Sequence, residues 1–452
     1  MNEYIEILGE WWLPHNSEIK INGVLKYEPN KDIELTLIGC FGEFEDVFTM
    51  EDKRFESIHG FTTNGKKITL IDCSRSDYKI SMPGMITEKY CSSSMMIGDY
   101  FDNEGSIKLK RISFSFDNLE QWLSLPSYKI EHDDKGKNFN IEYSLPESIN
   151  AEYKGAKVSI EYTSITNGNL FKKFSIEQTG WISFISEDYY LSISDLFHFI
   201  ESFSNLLTLC SAVYIEPIKI KSKSVQGNDL EFIFRKLNTI ETKRLLSRHD
   251  FIFNFHDIKH EFQKFLNIWI DKYEALEPII HYFVDAHKKD VFSPVSFVKL
   301  VQTLESFSRR MRHNWIEDQS TLDTKIEEVL SCINNEENKE WLKGIFKYVN
   351  EPTLSTRLRG LFRETNFLLN LSSTKISSLV YKIVETRNYY THFDERKKDK
   401  VLDIHGMFYL GQLFKLMLRS LILKELGFND EFILNNIDKK RNRDSIKEGL
   451  KL

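Results

Sequence analysis

The chain is poor in cysteine, glycine and proline. Its five cysteines, Cys40, Cys73, Cys91, Cys210 and Cys332, are scattered and never paired as CxxC, which excludes a disulfide framework and a thiolate zinc site. A reducing cytoplasm fits this usage. Only 20 glycines and 9 prolines occur in 452 residues, and neither GxxxxGK nor GxGxxG is found, so nucleotide-cradling loops and low-complexity linkers are not expected. Basic charge is lacking too. The 67 acidic residues against 60 Lys and Arg give a formal net charge of -7, too little positive field to hold nucleic acid by bulk electrostatics. Any such contact must be local. The start, Met1 to Glu6, is acidic with no basic segment before an apolar core, so it does not read as a signal peptide. The most apolar run, Met407 to Leu423, is broken by Gln412, Lys415 and Arg419, and no membrane span is expected. His249, His256 and His260 lack the glutamate of an HExxH motif, so neither metal nor cofactor is expected.

What the chain has is aromatic weight, with 34 Phe and 19 Tyr, and two different periods. Residues 1–190 show short runs of β-branched and aromatic residues at period two. Ile33 to Ile38 alternates, and the runs Ser57 to Thr62 and Lys67 to Asp72 flank Asn64-Gly65, a tight-turn pair. Ile107 to Phe116, Phe139 to Ser144, Val158 to Thr163, Phe171 to Ile176 and Trp181 to Ile185 are further strand candidates. Their number predicts a sandwich or a barrel-like module. From Ser192 the period changes to three and four: Ile193, Leu196, Phe197, Ile200, Phe203 and Leu207 form one helical stripe. Helical patterning continues through Leu230 to Leu246 and Glu261 to His287, with a short extended stretch at Val213 to Lys221. Residues 191–290 therefore read as a helical connector.

Ser293-Pro294 supplies an N-cap and a first-turn proline, and opens a helical bundle over residues 291–452. Its first helix is expected to carry Phe297, Val301, Leu304, Met311 and Trp315 on one side. Helices follow at Leu322 to Cys332, Glu340 to Val349, Leu354 to Leu371, Lys375 to Tyr390 and Val401 to Leu426. The fold class is α+β. The last helix is apolar on more than one stripe, which suggests an interface and a homodimer or a higher even oligomer.

The chemistry concentrates at Lys375 to Phe393. Ile376, Leu379, Val380, Ile383 and Val384 make a buried stripe, and Arg387, eleven residues after Ile376, falls only about 20° from it. A guanidinium where a leucine belongs needs an anion, a carboxylate or a wet interface. Five residues on stands His392, and histidine is the side-chain type whose unperturbed titration lies near neutrality. RNA carries its own nucleophile, the ribose 2'-hydroxyl; cleavage needs a base, an acid and a cation for the crowded phosphate. Two copies meeting across a two-fold axis would set two such pairs around one phosphate without any metal. The plain alternative is a helix-end arginine that bridges Glu385 or Asp394 and meets the dipole.

Arg387-Asn388-Tyr389-Tyr390-Thr391-His392 fits the Rx4-6H motif of the HEPN superfamily. The N-terminal half adds Gly9-Glu10-Trp11-Trp12-Leu13-Pro14, Ile21-Asn22-Gly23-Val24-Leu25, Ile58-His59-Gly60-Phe61-Thr62 before Lys67-Ile68-Thr69-Leu70, and Phe114-Ser115-Phe116 before Leu119-Glu120-Gln121-Trp122. That succession resembles the ApeA family of anti-phage proteins, a β-rich N-terminal domain fused to a C-terminal HEPN bundle. The resemblance implies a metal-independent endoribonuclease of abortive infection, cutting RNA, a structured one such as tRNA by analogy, once a phage-derived trigger is sensed. In it Arg387 stabilises the phosphate, His392 transfers protons and Asn388 orients the scissile group or the arginine. Asp394 stands where HEPN toxins silenced by AMPylation carry tyrosine, so control is expected in the N-terminal module instead.

Around the motif, Arg357, Arg359 and Arg363 are candidates to line an RNA groove, as are Arg309, Arg310, Arg312 and His313, although charge runs are more often solvated faces. Glu305 is a candidate partner of Arg387 across the bundle. The basic stretch Lys439 to Arg443, flanked by Asp438 and Asp444, reads as a tail. Trp11 and Trp12 point to opposite faces of a strand, so at least one is core. The competing class is a non-catalytic HEPN module that binds RNA or a nucleotide while the β domain recruits a phage or host protein.

Overall fold

The structure is a computed structural model that describes residues 4–29, 31–42, 53–81, 83–132, 139–169, 171–234, 245–288, 291–393, 395–437 and 440–451. It divides into two compact units. The first comprises Met1–Leu207, Ile215–Asp250 and Asn254–Leu266, and the second Thr208–Tyr214, Phe251–Phe253 and Asn267–Leu452.

The first unit begins with β1 (Ile5–Leu13), β2 (Asn16–Tyr27), β3 (Ile33–Ile38), β4 (Arg54–Thr62), β5 (Lys67–Ile80) and β6 (Ile86–Ile97). Pairing runs β1–β2–β3–β6–β5–β4 and returns from β4 to β1, all antiparallel, so the six strands close into a barrel. Closure removes the exposed edges. Alternation sets the interior: Ile33, Leu35 and Leu37 are fully buried and join Leu25, Ile58, Ile68, Leu70, Tyr90 and Met95 in the core. Both Trp11 and Trp12 are buried. Trp11 lies over Gly60, where a Cβ would come within 2.3 Å of the indole, so glycine is required there. The Asn64-Gly65 turn forms as expected, with Gly65 at φ +78 and its N–H bonded to the Thr62 carbonyl.

Beyond the barrel come β7 (Leu109–Phe116), the short α1 (Leu119–Leu123), a separate hairpin of β8 (Tyr128–His132) and β9 (Phe139–Tyr143), then β10 (Ile149–Tyr153), β11 (Ala156–Asn169), β12 (Lys173–Ile185), α2 (Ile193–Ser211), β13 (Pro217–Ser224) and β14 (Asp229–Phe234). The sheet continues as β14–β13–β7–β12–β11–β10, and β6 joins it to the barrel. Thr87 to Ser92 of that strand pair with β3, and Ser94 to Ile97 pair with β14. The apolar side of α2 packs here, with Phe184 and Phe199 stacked at 3.6 Å and Phe203 at 5.8 Å from Phe114. Phe197, counted in the stripe, is 45% exposed.

Two expectations are corrected. Lys173 to Ile176 and Trp181 to Ile185 belong to one long strand, β12, because every residue between them pairs with β11, while Phe171 and Lys172 lie in the turn before it. Within the span 191–290, Leu230 to Phe234 is the strand β14 rather than helix, and with β13 it completes the sheet. The rest of that helical expectation, 235–244, lies outside the described residues.

The helices that follow are α3 (Phe255–Ile258), α4 (Phe262–Lys288), α5 (Pro294–Met311), α6 (Gln319–Ser331), α7 (Glu336–Phe346), α8 (Leu354–Glu364), α9 (Ser373–His392), α10 (Ile404–Glu425), α11 (Asp430–Asn436) and α12 (Lys440–Gly449). Seven of those in the second unit start at side-chain caps. Ser293, Asp318, Asn335, Thr353, Ser372, Asp403 and Asn429 each accept a hydrogen bond from a first-turn backbone N–H, each contributing about 1 kcal/mol. Helix α5 ends at Met311, and Trp315 lies beyond it, 54% exposed. By length and composition α10 is apolar enough to cross a membrane, yet 72% of that stretch is buried inside the protein. Leu410, Leu413, Phe414, Met417 and Leu421 are all core, while Phe408 remains 39% exposed. The surplus apolar surface expected to mark an interface is therefore mostly consumed within the unit.

Candidate active site

Helix α9 starts where the Ser372 hydroxyl accepts from the Lys375 N–H, and it buries Ile376, Leu379, Val380, Ile383 and Thr386. Val384, expected in the stripe, is half-buried. The helix stops abruptly. Phe393 adopts φ +52, uncommon for a bulky residue, and its N–H donates to the Tyr389 carbonyl at 2.8 Å. Thr386 ties the returning chain to the helix: its hydroxyl donates to the Lys382 carbonyl at 2.7 Å and accepts from the Leu402 N–H at 3.0 Å. His392 is thus an exposed side chain in the last turn before a pinned reversal.

Arg387 is about a quarter exposed, with 27% of its side chain accessible. One Nη donates to Asn388 Oδ1 at 3.1 Å, and the other lies 3.9 Å from Glu305 Oε2 on α5. The carboxylate expected across the bundle is in place, and the amide next in sequence braces the guanidinium. His392 stands five positions after Arg387 on the helix, a turn of about 140° and a rise of about 7.5 Å. One copy of the helix therefore presents the two groups on different sides.

Two of the arginines expected to line a groove, Arg309 and Arg312, pair with carboxylates. Arg309 bonds Glu305 at 3.3 Å and Glu351 at 2.6 Å, Arg310 donates to the Ala275 carbonyl, and Arg312 pairs with Glu364 at 2.5 Å and Glu425 at 2.7 Å. Hydrogen bonding to these carboxylates, Glu364 foremost for Arg312 and Glu351 foremost for Arg309, holds both guanidinium pKa values above their ordinary range. His313 packs edge-on against Trp315. On α8, Arg357 is buried, Arg359 half-buried and Arg363 exposed, so the three do not form one accessible stripe. Glu351, in the turn before α8, was not singled out by sequence, because nothing local marks a loop carboxylate as the partner of Arg309. Asp394 and Lys439 lie outside the described residues.

Two protein-family profiles match the chain. The ApeA N-terminal domain 1 covers residues 6–269, and the Apea-like HEPN covers residues 298–432, which include Arg387, Asn388 and His392. Neither the curated proteins nor the solved structures contain a match. With the first profile alone spanning more than half of the sequence, and the second enclosing the helix that bears the Rx4-6H residues, the chain belongs to the ApeA family of anti-phage, HEPN-domain proteins.

Proposed function

We propose that the C-terminal unit is a metal-independent endoribonuclease that acts in abortive infection. Arg387 binds the scissile phosphate and stabilises the charge that develops on it. His392 takes the proton of the 2'-hydroxyl or returns one to the leaving 5'-oxygen, and Asn388 orients the arginine. The observation that carries this reading is the pairing of a braced, half-buried Arg387 with an exposed imidazole at the end of the same helix. Their separation of about 140° on one helix favours a composite site, with the arginine of one copy facing the histidine of another across a two-fold axis. The substrate is RNA, for which tRNA is the first candidate, and the β-rich unit is the sensor of a phage-derived trigger.

The test is incubation of purified protein with total RNA in excess chelator, followed by mapping of the new ends. Cleavage leaving 2',3'-cyclic phosphates is expected, with Arg387→Ala and His392→Ala each losing at least about 100-fold in rate. Intact cleavage in both folded variants would sink the assignment. For the sensor, exposed substitutions in the β-rich unit are expected to remove phage protection while sparing cleavage in vitro. A saturation screen that finds none overturns that role.

A further inference from the structure

The helical unit buries a charge that no hydrogen bond from its described residues satisfies. Arg357, on α8, is 3% exposed, and none of its three guanidine nitrogens has a hydrogen-bond partner among the described residues. Its ion pair to Glu351 is long, at 4.0 Å. Burial, and after it the positive charge of Arg309, lowers its pKa, while Glu305 and Glu351 pull the other way. The same two carboxylates serve the neighbours: Glu305 bonds Arg309 and reaches Arg387, and Glu351 bonds Arg309. Three guanidiniums share two carboxylates in this cluster of described residues, which leaves one positive charge in excess beside the Rx4-6H arginine.

A guanidinium offers five N–H donors in a planar fork that suits a phosphate. We propose that Arg357 forms a second RNA-phosphate subsite next to Arg387, and that Glu305 and Glu351 are resident counter-ions displaced by the incoming backbone. This rests on the ribonuclease reading of Arg387 and His392. Glu351 is suited to yielding, because it sits in a turn with 38% of its side chain exposed. The subsite would hold the phosphate beside the scissile one and so fix the register of the strand.

The experiment uses the full chain carrying His392→Ala, so that labelled bulk tRNA is bound without being cut, and reads fluorescence anisotropy across a range of salt. Adding Arg357→Met is expected to weaken binding about tenfold and to reduce the slope of log affinity against log salt by roughly 0.7 to 0.9, the share of one phosphate contact. Arg357→Lys should keep the slope while losing affinity, and Glu351→Gln should tighten binding. Unchanged affinity and slope in Arg357→Met, while Arg387→Ala still abolishes cleavage in the otherwise native protein, overturns the subsite and leaves the nuclease standing. If Arg357→Met instead changes self-association and spares RNA binding, the anion is a carboxylate of a second copy and the proposal falls. Absence of both tRNA binding and native cleavage removes both readings.

Discussion

Each unit of the molecule buries a charge, and the two are treated in opposite ways. In the barrel, Glu88 is fully buried and completely engaged: Arg75 lies at 3.2 Å and Lys53 at 3.6 Å, the Tyr90 hydroxyl donates at 2.8 Å, and the Phe41 N–H donates at 3.1 Å. In the helical unit, Arg357 is nearly as deep and, among the described residues, has one carboxylate at 4.0 Å. Removing an ion from water costs several kcal/mol, recovered only through good geometry and additional hydrogen bonds. Glu88 meets that condition and joins β6 to the segment around Phe41. Arg357 does not meet it, and a poorly compensated buried charge beside the Rx4-6H residues signals a position kept for something other than stability.

The contrast breaks first, and by the largest amount, at Glu88. Replacement by alanine leaves Arg75 and Lys53 without their buried carboxylate and is expected to destabilise the β-rich unit by about 3–5 kcal/mol in urea unfolding. A loss below about 1 kcal/mol would show that the network does not hold the barrel.

A second comparison separates function from fold class, because the helical unit also contains a saturated arginine. Arg419 on α10 donates to the carbonyls of Leu209, Cys210 and Ile437. Arg419→Met removes the guanidinium donors from those carbonyls, and a loss of about 1–3 kcal/mol is expected in the same assay. A neutral result would mean that buried arginines in this unit are tolerated generally, and Arg357 would cease to be exceptional.

These two sites also mark how far sequence reading reaches. Period two and the Asn64-Gly65 turn disclose the strands, since both are local signals. Barrel closure is not local: it depends on β1 pairing with β4, as in Gly9 opposite Thr62. Strand β6 escaped notice because its centre, Cys91-Ser92-Ser93-Ser94, lacks the expected apolar residues. The Ser92 hydroxyl instead donates to the Ile71 carbonyl within the sheet. Leu230, Ile233 and Phe234 are spaced as in a helix, yet tertiary pairing with β6 and β13 makes them a strand. At the candidate site, Arg387 was legible as a charge on an apolar stripe, and Glu305 as a carboxylate on the facing helix. The involvement of Glu351, and the burial of Arg357, arise from the packing of the turn and helix between α7 and α9.

A smaller effect is expected from pH. His287, at the end of α4, donates from Nδ1 to the Phe283 carbonyl at 2.7 Å. Its pKa is pushed down to about 3, chiefly by burial and then by the charges of Lys415 and Arg419, against that hydrogen bond. Its folded pKa lies below the unfolded value of about 6.5, so the unfolded chain takes up the proton first. Stability is full above pH 6.5 and falls between there and about 3. The residue is only partly buried, so the slope should stay below the limit of about 1.4 kcal/mol per pH unit. Melting temperature against pH should be flatter in His287→Gln, and identical curves would remove His287 from the acid response.

The smallest change in stability is expected at Arg357, and its smallness is the informative result. If the guanidinium were structural, Arg357→Met would unfold the helical unit as readily as Arg419→Met. If it is held for a phosphate, an apolar side chain of similar length relieves its desolvation and its repulsion from Arg309, and the unfolding midpoint without RNA should stay level or rise. The same variant should then gain less than the native protein from added tRNA, because ligand stabilisation follows affinity for the folded state. A drop comparable to that of Arg419→Met would place Arg357 among the residues that hold the bundle together and would erase the difference between the two buried charges.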